Sequence, residues 1–120
     1  MNTTENSTGF KSLVTAAAIA QGQRVKISSG QADVAAATDA AIGVATIDAP
    51  SGGVVTVKLW SAPGTFICRA SAPIAAGAQL YPTAAGEVDD TGTTALNLVA
   101  LEAATADNNL IECARIEKGA

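Results

Sequence analysis

Hydrophobic and polar positions along this chain alternate with a period near two, in short runs separated by glycine, proline and Asn/Asp clusters. That is the pattern of short half-buried strands, and no long amphipathic stripe with a helical period competes with it. Phe10-Lys11-Ser12-Leu13-Val14-Thr15 reads as a first strand. Arg24-Val25-Lys26-Ile27-Ser28 alternates polar and apolar, which predicts a strand with Val25 and Ile27 turned inward. The Ala-rich segment 34–41 is interrupted by Thr38 and Asp39, so it reads as loop with at most one helical turn. Ile42 to Ile47 is continuous enough for a buried strand, with Gly43 marking a bulge or a close backbone approach. Asp48-Ala49-Pro50-Ser51-Gly52-Gly53 is a turn, and Val54 to Trp60 is the clearest strand, so a hairpin joins 42–47 to 54–60. Thr65 to Ala70 follows as a strand, while Val88 to Thr94 is a polar surface loop. Leu96–Ala103 and Leu110–Ile116 complete the set.

The chain also repeats itself. Ile19-Ala20-Gln21-Gly22-Gln23-Arg24-Val25, ending at Gly30-Gln31, is a shortened form of Ile74-Ala75-Ala76-Gly77-Ala78-Gln79-Leu80, which continues through Tyr81 to Gly86-Glu87-Val88. In both, an apolar and a small residue precede a turn glycine, and a β-prone residue follows three positions later. The strands after each turn occur in the same order, roughly 55 residues apart, which marks an internal duplication. Two repeats are too few for a solenoid, so they are expected to pair into one small closed or nearly closed β structure. The predicted class is all-β: a small barrel or sandwich of short strands from a degenerate repeat. A flexible arm, residues 1–12, precedes a single β domain, residues 13–120.

Composition narrows the function. At 120 residues the chain is one domain's worth, burying roughly 65% of its extended surface. Only 3% of residues are aromatic, so the core is aliphatic and thin, and oligomerisation is a plausible supplement. A net charge of -4 with scattered basic residues argues against binding a phosphate backbone. No apolar run reaches the roughly 20 residues of a membrane helix. The Leu13–Ala20 run is too short and too poorly flanked by cations for a signal peptide, so the sequons at Asn2 and Asn6 are read as chance. Cys68 and Cys113 lie in strand-like surroundings and read as buried thiols, with a disulfide as the alternative.

The usual catalytic routes are closed. There is no histidine, so a Ser-His-Asp or Cys-His system cannot be built within one chain, and neither common nucleotide-binding glycine motif is present. Glu87, Asp89 and Asp90 lack the ligand spacing of a calcium loop and read as a solvated turn. Gly52-Gly53 joins two strands instead of opening a helix, which favours a hairpin turn over a phosphate cradle. Lys58 lies inside a strand, unlike the turn-borne lysine of a lipoyl or biotinyl carrier. No metal or cofactor is expected. Trp60 and Tyr81 either close the ends of the core or anchor an interface.

Taken together, Ile19-Ala20-x-Gly22-x-x-Val25, Ile42-Gly43-Val44-Ala45, Gly52-Gly53-Val54-Val55-x-Val57, Ile74-Ala75-Ala76-Gly77-x-x-Leu80-Tyr81 and Gly86-Glu87-Val88 resemble the small capsid decoration, or cement, proteins of tailed bacteriophages. The resemblance spans residues 10–117. It departs at Leu98-Val99-Ala100, where such proteins often repeat an Ile-Gly-x-Ala core. It implies a non-enzymatic virion protein on the outer surface of a phage head. Its partner would be the major capsid protein, its state a homo-oligomer with a trimer favoured, and its place of synthesis the bacterial cytoplasm. Phe10, Lys11, Leu13, Trp60 and Tyr81 are the candidate capsid or subunit interface residues. Two readings from other classes compete: a β module binding carbohydrate or another ligand through Trp60 or Tyr81, and a regulatory β domain whose partner supplies the missing histidines.

Overall fold

β-branched residues set at alternate positions, with glycines where the backbone must reverse, give ten strands and no helix among residues 8–116, the part described by the computed structural model. In the first repeat these are β1 (Phe10–Val14), β2 (Arg24–Ser28), β3 (Gln31–Val34), β4 (Gly43–Ala45) and β5 (Val54–Leu59). They form one sheet in the order β1-β5-β4-β2-β3. Its two edges meet: Thr15 bridges Ala32 in parallel, and the Ala16 N–H donates to Ala32 O at 2.8 Å. The sheet therefore curls into a small closed barrel. Inside lie Ile19, Val25, Ala32, Ala45, Val55 and Val57, all buried. Each buried valine or isoleucine contributes roughly 1.5–3 kcal/mol through area removed from water.

The second repeat follows the same plan with β6 (Phe66–Arg69), β7 (Tyr81–Pro82), β8 (Val88–Asp89), β9 (Leu98–Ala100) and β10 (Leu110–Arg115). Strands β6-β10-β9 form one sheet and β7-β8 a hairpin, and the bridges Gln79–Val99 and Ala70–Val88 join them around a second core. Phe66, Cys68, Leu80, Val88, Leu98 and Ile111 fill that core. The duplication reaches individual hydrogen bonds. Ile19 and Ala49 exchange bonds of 2.9 and 2.8 Å, and so do Ile74 and Ala104, at 2.9 Å each. Gly22 N–H donates to Ala45 O at 2.9 Å, and Gly77 N–H to Ala100 O at 2.7 Å.

The all-β class built from an internal repeat is what the pattern predicts. The two copies do not merge into one closed structure, however: their buried residues fall into two clusters, with Val44 of β4 packed into the second, and the barrels dock side by side. Gly43 is a close approach as expected, since a Cβ there would lie 2.1 Å from Lys58 O. The 42–47 and 54–60 runs pair antiparallel as β4 and β5. Segment 34–41 is a turn in which the Asp39 carboxylate accepts the Ala36 N–H at 2.8 Å and pairs with Lys26 at 2.9 Å.

Three expectations change. Ile27 shares the inward face of β2 with Val25 yet is 46% exposed, because the β2–β3 hairpin, reversing at Ser29 and Gly30 with φ of 50 and 78°, carries it away from the core. Val88 does not belong to a surface loop. It is fully buried in β8, where it pairs with Ala70. Phe10, Lys11 and Ser12 lie in β1, so the arm boundary expected at residue 12 falls inside a strand; residues 1–7 of that arm lie outside the described residues.

Candidate interaction surface

The barrels join through a turn from the first repeat set against an edge strand of the second. Gly22, at φ +88°, presents its carbonyl to the Arg69 N–H at 3.0 Å, and Arg69 Nε donates to Gln21 O at 3.0 Å. A side chain on Gly22 has no room: its Cβ would lie 2.8 Å from Leu110 Cδ2 and 2.9 Å from Arg69 N. This is a place where glycine is required both by conformation and by contact.

Arg24, the next polar position, is 1% exposed and clamps the same junction. Its backbone N–H donates to Gly86 O at 2.8 Å, and its guanidinium donates to Ala35 O at 3.2 Å and Thr83 O at 3.1 Å, one carbonyl from each repeat. Burial pushes its pKa down, opposed by Cys68 and Asp39. Its Nε is buried without a hydrogen-bond partner among the described residues, a deficit of about 1–3 kcal/mol that the two carbonyl bonds offset.

At the other end of the junction, the Trp60 and Phe66 rings meet edge to face at 5.1 Å, and Trp60 Nε1 donates to Ala41 O at 2.9 Å. Lys58 Nζ donates to Thr65 O at 2.5 Å and sits 4.9 Å from the Phe66 ring centre and 5.9 Å from that of Phe10. Arg115 donates to Trp60 O. Between the barrels lies a cavity of about 250 Å³ lined by Arg24, Asp39, Trp60, Leu96, Leu98 and Arg115. It sets Arg24, Arg115 and the Asp39 carboxylate against apolar walls, and no group of three potential metal ligands exists among the described residues. This arrangement can hold surfaces together.

Residues 6–115 match the sequence profile of the phage cement protein family, which covers most of the chain. The chain belongs to the phage cement protein family. No curated protein matches it. Among solved structures, the head fiber gp8.5 N base of bacteriophage phi29 is similar at a TM-score of 0.72 and 17% identity, over 91% of this chain and 98% of that one. At that identity the likeness concerns the fold alone. Membership of the cement family makes this a structural phage protein, associated with the virion.

The candidate interface residues of this cement protein are not brought together. Trp60 is at the junction of the barrels, already engaged by Phe66 and Ala41. Tyr81 is in β7 of the second repeat, half-buried and paired with Asp89, with Gly92 packed over its Cβ. Leu13 is half-buried against the first core, whereas Lys11 is exposed on β1, and Phe10 sits beside Lys58. Asp89 Oδ1 accepts the Asp90 N–H at 2.7 Å, a turn cap. The Gly53 N–H is held by Thr15 Oγ1 at 3.0 Å and the Gly52 N–H by Thr15 O at 3.0 Å, so both glycine donors are taken within the turn. Cys68 and Cys113 are free, buried thiols. Sequence reasoning missed Arg24, the docking role of Gly22, and an exposed pair, Val14 and Val54, at 48% and 56%. Only the repeat itself carried a signal for these.

Proposed function

We propose that the chain binds the outer surface of a phage head and stabilises the assembled shell, with the major capsid protein as partner. The observation that carries this reading is the family match across residues 6–115. The geometry supports it: two barrels clamped by Arg24 and the Gly22 turn form a stiff body, suited to resisting deformation of a shell. Working as a homo-oligomer, with a trimer favoured, lets individually weak contacts hold through multivalency. The acidic balance, net charge -4, suits an exterior protein that must not capture nucleic acid.

Phe10 and Lys11 on β1, with residues 1–7 before them, are the proposed attachment segment. The test is co-sedimentation with undecorated heads. The full chain pellets with the heads and raises their melting temperature. Deleting residues 1–7 leaves the circular dichroism spectrum unchanged and lowers occupancy. Equal occupancy removes the arm from the mechanism, and failure of the full chain to bind heads overturns the function.

A further inference from the structure

We propose that the Gly77 turn of one copy docks on the Val14–Val54 pair of a second copy, where β1 lies beside β5, repeating between chains the contact that joins the repeats within one. The proposal deepens the homo-oligomer reading above and does not rest on head binding.

The internal contact runs head to tail: a turn of the first repeat meets the leading edge strand of the second. Such a contact leaves one partner unused at each end of the molecule. The counterpart of Gly22 is Gly77, with nearly the same φ, +88 against +89°. Where Gly22 is packed against Arg69 and Leu110, nothing lies within 4 Å of a Cβ built on Gly77.

The counterparts of the receiving residues are equally bare. Arg69 and Leu110, which accept the Gly22 turn, are register partners across β6 and β10. Their equivalents, Val14 and Val54, are register partners across β1 and β5. Both valines are about half exposed, side by side on neighbouring strands. The backbone is prepared as well. Thr15 N–H donates to Gly53 O at 3.0 Å, so the antiparallel alternation turns the Val14 N–H away from β5. Arg69 N–H is turned the same way and is taken by Gly22 O. Next to the Thr15–Ala32 bridge that closes the barrel, an outward donor beside two exposed apolar side chains is a template for another chain.

A second part of the junction agrees. The Gly86 turn packs against the first repeat, where its Cβ would lie 2.6 Å from Val34 Cγ1, and its carbonyl takes the Arg24 N–H. The corresponding turn of the first repeat, at Gly30, has a similar φ, 78 against 76°, and nothing within 4 Å. Both receiving features of the second repeat thus have uncovered equivalents on the first. Because two different patches meet, the contact is heterologous and repeats from copy to copy instead of stopping at a two-fold dimer.

The test uses the full chain with the variants Val14→Lys and Gly77→Asn, followed by sedimentation velocity and native mass spectrometry across concentration. Lysine is accommodated at a half-exposed position. Asparagine tolerates left-handed φ in open space but places a Cβ where the docked turn allows none. The wild type associates beyond a monomer, and each variant associates roughly tenfold more weakly or worse, as expected for an unpaired charge or overlap at a buried contact. An equimolar mixture of the two variants forms a dimer that grows no further, since each retains one sound patch. Val54→Lys repeats the test if either variant loses its native circular dichroism. A wild type that stays monomeric at high concentration, association indifferent to these substitutions, or a mixture no better than its components overturns the proposal. Head pelleting, measured separately, distinguishes this failure from a failure of the capsid reading.

Discussion

Replacing Gly43 by alanine tests how closely the strands of the first barrel approach one another. The new Cβ would stand 2.1 Å from Lys58 O, 2.8 Å from its carbonyl carbon and 2.9 Å from Leu59 Cα, where ordinary contact begins at 3.4 Å. All three atoms are backbone, so no side chain can swing aside, and β4 and β5 must separate by more than an ångström. Their spacing of about 4.8 Å is fixed by hydrogen bonds, so relief of the overlap breaks ladder bonds on at least one side of Gly43. Overpacking contributes about 1–3 kcal/mol and the lost ladder bond about 1, giving about 2–4 kcal/mol in all. At about 3–5 °C per kcal/mol for a chain of this size, the midpoint falls by about 6–20 °C in a thermal melt followed by circular dichroism. Gly52→Ala is the control: φ is +75° but nothing lies within 4 Å, so the change costs only the left-handed backbone penalty of about 1–2 kcal/mol. A Gly43→Ala protein that melts within a few degrees of wild type, or above Gly52→Ala, refutes the close approach.

Cys68 and Cys113 face each other in the second core, and the hydrogen bond that the Cys68 thiol donates to Cys113, then burial, pushes the Cys68 thiol well above its ordinary pKa. Native protein therefore leaves both thiols unlabelled by an aromatic disulfide reagent at pH 8, and denaturant releases two; rapid labelling of folded protein contradicts this packing. Burial, then the charge of Asp107, raises the Glu87 carboxyl above its ordinary range, with Arg69 opposing. The folded state thus holds this proton more tightly than the unfolded one, so the contribution is present at low pH and is lost as pH rises through the folded pKa. Glu87→Gln should gain stability relative to wild type between pH 4 and pH 7 in urea titrations, and a difference that is flat or reversed in pH removes that account.

Local pattern carried the strands where alternation and burial coincide. Val55 and Val57 are fully buried, with half-buried Thr56 between them and Lys58 after, as the period requires. Gly43 was legible because a glycine amid β-formers has few other reasons to be there. Alternation fixes which face a residue occupies, but not whether core lies beneath that face, and Ile27 is the case in point. Val88 was hidden by the polar run after it: its burial depends on a parallel bridge to Ala70, a contact across the chain. Arg24 sits at a polar position of the period and reads as solvent-facing. Only the docking of the second barrel supplies Thr83 O and encloses it. Val14 and Val54 fail in the opposite sense, since outward valines on a strand look the same as inward ones. The duplication was visible, but whether its copies share a core or keep two is decided by packing that no single repeat encodes.

In each barrel the leading strand is zipped to the last one made: β1 pairs with β5, and β6 with β10. A nascent chain therefore cannot shut the first barrel until Val54–Leu59 has left the ribosome, and until then its opening strand has only the bridge to β3 to hold it. Such far-reaching closure puts folding in the millisecond-to-second range typical of sheet proteins, fast enough against synthesis at roughly 5–20 residues per second for the two halves to form in succession.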